Sequence, residues 1–182
     1  MELRDWAEVK SKVVDENLLQ KNALKSRREI CREISSRLML ISDESLESLC
    51  KSPSSESKLI LLLAICKCYR YITDFILEVL RNKVLLFDYR LTDFDYERFF
   101  ESKYDTHPEM EKLTKRSHLN VKNMTLAILN QSGITTGKGE RTIQVPLVSR
   151  SLQELVCKDN PDWLKVFLMS DPDIQLSAKK YA

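Results

Sequence analysis

Residues 131–145, QSGITTGKGERTIQV, contain all three glycines of a chain of 182 residues. Gly137 and Gly139 allow the backbone angles of a tight turn, and the segments ITT and TIQV on either side are rich in β-branched residues that favour strands. The pattern predicts a small β-hairpin that ends at Pro146. Gly133 precedes the hairpin, at a position where a residue with positive φ commonly closes a helix.

The rest of the chain is predicted to be helical, because it has only five prolines and is rich in Leu, Glu, Lys and Arg. In the first half of the chain we expect helices at about 6–14 and 22–40, a short helix after Ser42 that ends near Pro53, and a long helix at 56–82. In the second half we expect a helix that starts at a capping box of Thr92 and Asp95, helices at 108–113, 114–132 and 151–157, and a helix after Asn160. Residues beyond Asp171 are expected to be frayed. Along 56–82, Arg70–Asp74 and Glu78–Arg81 have the spacing of surface ion pairs.

These elements predict an all-α protein, a compact helical bundle with two helix-turn-helix elements. The C-terminal helix-turn-helix carries the small β-hairpin as a wing. We expect an N-terminal helix-turn-helix region at 1–52, a central helical core at 53–105 and a C-terminal winged helix-turn-helix region with a tail at 106–182, together forming one globular unit.

Charge is segregated along the chain although the formal net charge is only +2. Residues 21–40 hold six Lys and Arg against two Asp and Glu, and residues 112–150 hold seven against one. The segment 41–111 between them is acidic, with nine basic and fourteen acidic residues. Two basic blocks, each containing the second helix of a predicted helix-turn-helix, indicate contact with a polyanion.

Each basic block places cations at i, i+3 and i+7 of a predicted helix, Lys25, Arg28 and Arg32 in the first and Lys115, His118 and Lys122 in the second. Short polar side chains beside the second stripe, including Asn120, suit phosphates or base edges. The candidate DNA-binding residues are Lys25, Arg27, Arg28, Arg32, Lys115, Arg116, Ser117, His118, Lys122, Asn123 and, on the wing, Lys138 and Arg141. A charge stripe is also typical of a helix face that is merely solvated, and a small hairpin can simply connect helices.

Other kinds of site find little support in the sequence. GITTGK differs from a phosphate-binding loop, because only three residues separate its glycines and Gly139 follows the lysine where a Ser or Thr is required. Cys66 and Cys68 lie in an apolar helix and are expected to be structural. The acidic cluster Asp93, Asp95, Glu97 and Glu101 is explained by helix capping and solvation. We therefore expect no catalytic residues, no metal and no cofactor.

The sequence also predicts the compartment. The longest apolar run, residues 59–66, is far shorter than the roughly 20 residues that span a bilayer and is expected to be a buried helical segment. The start, MELRDWAEVK, has no apolar signal region, and five cysteines without a regular framework fit reduced thiols. We expect a cytoplasmic protein.

Five stretches resemble the BrxA family, the small core protein of bacterial BREX (bacteriophage exclusion) defence systems. They are DWAEVKSKVVDENLLQK (5–21), RREICREISSRL (27–38), AICKCYRYITDFILEVLRNK (64–83), LTDFDYERFFESK (91–103) and LNQSGI (129–134). The resemblance implies a helical, cytoplasmic, non-enzymatic protein that carries helix-turn-helix elements and binds double-stranded DNA. It also implies action beside the methyltransferase and the ATPases of the same system.

Two other functions fit the same residues. An assembly adaptor would use its basic faces to meet acidic proteins of the defence complex. An RNA-binding protein similar to the helical antitermination factors would use them on RNA. For the DNA-binding interpretation we expect a monomer, because two DNA-binding elements in one chain suffice to hold a duplex.

Overall fold

The computed structural model describes residues 5–104, 107–137 and 139–181. Its α-helices are α1 (Trp6–Asp15), α2 (Leu24–Leu38), α3 (Asp43–Lys51), α4 (Ser54–Cys68), α5 (Arg70–Phe75), α6 (Asn82–Leu85), α7 (Asp93–Ser102), α8 (Lys115–Ser132), α9 (Arg150–Asp159) and α10 (Asp171–Tyr181). A π-helical segment (Ile76–Arg81) joins α5 to α6, and 3₁₀ segments (Pro108–Lys112 and Pro161–Phe167) precede α8 and α10. Strands β1 (Arg90–Leu91), β2 (Thr135–Thr136) and β3 (Arg141–Ile143) form one antiparallel sheet.

The predicted fold class is confirmed, a mostly α-helical protein with a small β-hairpin. One hydrophobic core runs from Ile41 to Ile174 along the chain, and Trp6 and Leu38 from the first two helices pack against it. The division into three regions stays a prediction.

The first two helices pack against each other and are joined by an eight-residue link. α2 is shorter than the predicted 22–40, and Ala23 precedes it without a side-chain cap. Its buried residues are Cys31 and Ser35, whereas Ile34 is exposed.

The predicted long helix over 56–82 is interrupted, because Tyr69 adopts an extended conformation with ψ of 94° between α4 and α5. The hydroxyl of Thr73 donates to the Cys66 carbonyl at 2.7 Å and so satisfies a group that the break leaves free. The apolar run at 59–66 is buried, as predicted, apart from the partly exposed Leu61 and the half-buried Ile65.

The C-terminal residues form a helix, so the prediction of frayed residues beyond Asp171 was wrong. Ile174 of α10 is buried in the core. The predicted pair of Glu78 with Arg81 was also wrong, because the Arg81 guanidinium is buried and bonds to the Asp171 carboxylate at 2.8 Å and to the carbonyl of Met169 at 3.0 Å. The Arg70–Asp74 pair is confirmed at 2.7 Å.

The predicted hairpin is confirmed in β2 and β3, which pair antiparallel. Gly137 has φ of +96°, and a Cβ at this position would lie 2.3 Å from the carbonyl oxygen of Glu140, so only glycine fits. β1, which the sequence analysis missed because it is two residues long, adds a third strand beside β3. The predicted capping box of Thr92 and Asp95 starts α7 directly after β1.

Candidate nucleic-acid interface

The first basic face lies on α2 and is open to solvent. Lys25, Arg28 and Arg32 are all exposed. Lys25 has a loose pair with Glu29 at 3.9 Å, whereas Arg28 and Arg32 contact no carboxylate in the part of the chain that the structure describes. An exposed i, i+4 pair of this length contributes little free energy, so all three cations are available to a phosphate backbone.

Arg27 is on another side of α2 and has a structural contact. Its Nε donates to the Lys21 carbonyl at 2.7 Å, and Nη2 donates to that of Asn22 at 3.4 Å. The guanidinium thus holds the link between α1 and α2. DNA contact by Arg27 stays a prediction.

The second set of exposed cations lies at the start of α8. Thr114 caps the helix, since its hydroxyl accepts from the Ser117 N–H at 3.1 Å and lies 3.0 Å from the Ser117 hydroxyl. Lys115 and Arg116 are exposed, and the first turn contains no acidic residue. The helix dipole and unpaired N–H groups favour an anion at a helix N-terminus, and two cations there add to this attraction.

The other predicted residues of α8 face the acidic helix α7. The Lys122 side chain is 13% exposed, and its ammonium lies 2.8 Å from Glu97 and 3.5 Å from Asp93. The His118 ring stacks on Phe100 with centroids 3.8 Å apart, and its Nε2 lies 3.1 Å from a Glu97 oxygen.

Arg141 of the hairpin belongs to the same network. Its Nη1 donates to Asp93 Oδ1 at 3.0 Å, and the side chain is largely buried. Lys122 and Arg141 are therefore already paired with carboxylates of the acidic segment, while the buried Nε2 of His118 lies near Glu97 without a hydrogen bond. Contact between these three residues and DNA stays a prediction.

The spacing of the second stripe explains this placement. Each residue advances about 100° around a helix, so the line through Lys115, His118 and Lys122 continues to Leu126 and Leu129. Both leucines are buried in the core. The stripe is therefore the N-terminal part of the core-facing side of α8, and of its three residues only Lys115, in the first turn, is open to solvent.

A different side of α8 is exposed along its length. It carries Arg116, Asn120, Asn123, Ala127 and Asn130. The Asn130 side chain donates to the Gly137 carbonyl at 3.2 Å, which attaches the helix to the turn of the hairpin.

An open groove of about 360 Å³ runs between this side of α8 and the hairpin. Amide side chains can donate to and accept from base edges, so the groove suits a nucleic acid. The sequence analysis missed Asn130 and Gln131 here, although Asn130 follows Asn123 by seven residues, two helical turns, and could have been placed on the same side. Lys138 lies outside the described residues.

The two helices that carry the basic faces, α2 and α8, contact α4 on different sides. The pocket between α4 and α8 is lined by Lys58, Leu61, Leu62, Ile65, Ile128, Gln131 and Ser132. Lys67, about 200° around α4 from Ile65, instead donates to the carbonyl of Leu40, just after α2. The C-terminal end of α2 and the body of α8 therefore lie against opposite sides of α4.

The remaining predicted sites can be placed as well. Within the described ranges, no group of three His, Cys, Asp or Glu side chains is arranged to hold a metal ion, and no helix is long and apolar enough to span a bilayer. Cys66 is deeply buried, and this burial raises the pKa of its thiol to about 12. Cys68 is partly exposed one residue before the break, so the two thiols share no site.

Comparison with known proteins identifies the family. The BrxA family model matches residues 1–160 of the chain. A Bacillus cereus (strain H3081.97) protein named "BREX protein BrxA" is 29% identical over 148 residues, which are 81% of this chain and 74% of the relative. The chain therefore belongs to the BrxA family, and the resemblance inferred from the five stretches is confirmed.

Proposed function

We propose that this member of the BrxA family binds double-stranded DNA as a non-enzymatic component of a BREX defence system. The relative named "BREX protein BrxA" supports the placement in BREX. The DNA contact rests on the residues of this chain. In this proposal the protein acts in the cytoplasm, beside other BREX proteins such as the methyltransferase and the ATPases.

The observation that carries the proposal is the exposure of unpaired cations on two helices. Arg28 and Arg32 on α2, and Lys115 and Arg116 on α8, have no carboxylate partner in the ranges that the structure covers. With the loosely paired Lys25 they form a set of five. Contacts to phosphates provide most of the affinity of non-specific DNA binding, and exposed Lys and Arg side chains are the groups that make them.

The arrangement of α8 and the hairpin supports the winged helix-turn-helix interpretation. In that interpretation the N-terminal turn of α8 meets a phosphate through Lys115 and Arg116. The exposed amides, of which Asn123 is central, then lie along the groove, and the hairpin beside them acts as the wing. The 3₁₀ segment Pro108–Lys112, which precedes α8, would correspond to the first helix of the motif.

The salt dependence of duplex binding tests the number of phosphate contacts. Each contact contributes about −0.9 to the log–log slope, so a duplex that contacted both faces would give about −4 to −5, one on the α2 face alone about −3 and one on the α8 face alone about −2. Fluorescence anisotropy with a labelled duplex at several salt concentrations measures the slope. The reversals Arg28→Glu with Arg32→Glu, and Lys115→Glu with Arg116→Glu, should each weaken binding at low salt at least tenfold.

A control variant separates a local contact from an effect of net charge. Lys179→Glu with Lys180→Glu changes the charge by the same amount on exposed residues of α10, and it should leave the affinity within about twofold. A circular dichroism spectrum of each variant confirms that the helices are intact. Equal losses in all three double variants would mean that the named faces are not the binding surface.

The same titration separates the alternatives. A protein that binds duplex DNA should bind it more tightly than RNA of equal length at the same salt concentration. If RNA competes at lower concentration than duplex, the RNA-binding alternative is correct. Weak, non-saturating binding to both would favour the adaptor.

A further inference from the structure

A cluster of exposed apolar side chains lies at one end of the sheet. We define the sheet-end patch as Leu86, Phe87, Tyr89, Val145 and Leu147. Leu86, Phe87 and Leu147 are 78%, 82% and 97% exposed, and Tyr89 and Val145 are about half exposed. Single exposed apolar residues are ordinary on protein surfaces, but a group of five in one region indicates a contact surface.

The strand pairing brings the two halves of the patch to the same end. β1 and β3 run antiparallel, with Arg90 opposite Thr142, and the Ile143 N–H donates to the Tyr89 carbonyl at 2.7 Å. Residues before Tyr89 and residues after Ile143 therefore leave the sheet at the same end. Because alternate side chains of a strand share a face, Tyr89 lies on the face of the buried Leu91.

Phe87 occupies a strained position, which indicates a role outside folding. It follows α6 with φ of +60°, and the bonds from its N–H to the Val84 carbonyl and from the Asp88 N–H to the Lys83 carbonyl form a Schellman motif. Glycine is the usual residue at this position, because a bulky side chain is disfavoured at positive φ. The phenylalanine costs folding free energy here and buries little surface in return.

The free edge of β1 does not offer a strand to a partner. Tyr89 points its carbonyl at β3, so the N–H of Arg90 points away from the sheet. That N–H donates to the Asp88 carboxylate at 3.0 Å. Because the Asp88 carboxylate already accepts from this N–H, the edge of β1 does not offer it to a partner strand. A partner would therefore contact the side chains of the patch.

We propose that the sheet-end patch is the interface of a homodimer in which two copies meet patch to patch, in place of the monomer expected from the sequence. The exposed apolar area of the patch supports a second copy of the chain as the partner. A standard interface buries about 800 Å² on each partner, of which about 60% is apolar, so each copy must supply roughly 500 Å² of apolar surface. Three largely exposed and two about half-exposed side chains together supply about this area, since one aromatic side chain alone buries about 150–250 Å².

The charges beside the patch also suit a second copy. Asp88, between Phe87 and Tyr89, pairs with Lys83 at 2.6 Å, and Arg90, the next residue along β1, pairs with Glu140 of the hairpin at 2.9 Å. The rim therefore carries both signs in balance. A two-fold-related copy presents the same balanced rim and is not repelled, whereas a nucleic acid finds no net positive charge there.

Analytical ultracentrifugation of the DNA-free protein, from about 1 to 200 µM, tests the proposal. The wild type should show a concentration-dependent monomer–dimer equilibrium that persists at 1 M salt, because an apolar contact is not screened. Phe87→Gly should raise the dimer dissociation constant at least tenfold, since each substitution acts on both copies. At concentrations too low for dimers its thermal midpoint should not fall, because glycine suits the backbone angle.

Further variants make the result decisive. Leu147→Ser should weaken the dimer as Phe87→Gly does, and Leu18→Ser, an exposed leucine between α1 and α2, should leave it unchanged. A wild type that stays monomeric at the highest concentration would overturn the proposal, as would dimers that tolerate both patch substitutions. Neither outcome bears on DNA binding, because no nucleic acid is present.

Discussion

Replacing Lys122 by methionine should destabilise the fold and leave DNA binding nearly unchanged, although Lys122 belongs to a stripe with the spacing of a contact surface. The variant keeps the aliphatic stem and removes a largely buried ammonium that bonds to Glu97 at 2.8 Å and pairs with Asp93 at 3.5 Å. A hydrogen bond to a charged group contributes about 1.5–3 kcal/mol. Because both carboxylates remain partly solvated, we expect a loss of about 1–2 kcal/mol.

The assay compares Lys122→Met with Arg116→Met, the same charge change on the exposed side of the same helix. In a chain of this length 1 kcal/mol lowers the thermal midpoint by about 2–4 °C, so the midpoint of Lys122→Met should fall by roughly 2–8 °C. Its salt slope for duplex binding should equal that of the wild type. Arg116→Met should change the free energy of unfolding by no more than about 0.5 kcal/mol and should make the salt slope about 0.9 less negative.

The reasoning would be refuted by the reverse pattern. If Lys122→Met kept its thermal midpoint and lost a phosphate contact, the ammonium would be available to DNA despite its two carboxylate partners. The core-facing interpretation of the stripe would then be wrong.

Three further predictions concern the rest of the molecule. Burial raises the pKa of Asp95, but hydrogen bonds from Thr92 and the Lys83 ammonium outweigh it and hold the pKa below the usual value. The ionised carboxylate therefore stabilises the fold above the unfolded value near 4, and this stabilisation declines as the pH falls below that value. Thr92→Ala should cost about 1 kcal/mol in urea unfolding at pH 7 and less in acid, where the bond between the Thr92 hydroxyl and the Asp95 N–H is still lost but the bond to the carboxylate no longer counts. Phe87→Gly should raise the free energy of unfolding by about 1 kcal/mol in urea titrations at protein concentrations too low for dimers, and a clear decrease would contradict the strain at this residue. Cys50 is exposed and should react with a thiol reagent in the folded protein, whereas Cys66 should react only after unfolding, as peptide mass spectrometry of the labelled protein would reveal.

Features set by a few neighbouring residues could be predicted from the sequence. The capping box at Thr92, the caps at Ser42 and Thr114, and the closure of α8 by Gly133 in a left-handed conformation all depend on local geometry. The hairpin depends on the glycines between two β-branched segments in the same way.

Features set by distant residues could not be predicted. The break at Tyr69 separates two segments with a continuous helical pattern, and its freed carbonyl is satisfied by Thr73 across the break. α10 packs against distant parts of the chain: Ile174 is buried in the core, and Asp171 bonds to Arg81, ninety residues earlier. No short-range pattern near the C-terminus contains that information.

The candidate site lies between these cases, because its residues were identifiable and their partners were not. The basic stripe of α8 and the acidic cluster of α7 were each visible as charge patterns. The stripe was expected to contact DNA, and the cluster was expected to reflect helix capping and solvation. In the structure they neutralise one another, through Lys122, Glu97 and Asp93.

This pairing changes which residues can determine the affinity for DNA and which can determine a preference for particular base pairs. With the centre of the α8 stripe neutralised, the free positive charge of α8 lies in its first turn, at Lys115 and Arg116, where the helix dipole has the same sign. The side that follows Arg116 towards the hairpin is uncharged and carries amides such as Asn123. A duplex held at the first turn would therefore be attracted by charge at one end of the helix and contacted by neutral hydrogen-bonding groups along the rest. Contacts of the first kind weaken with salt, and contacts of the second kind do not, so the two can be measured separately in one titration.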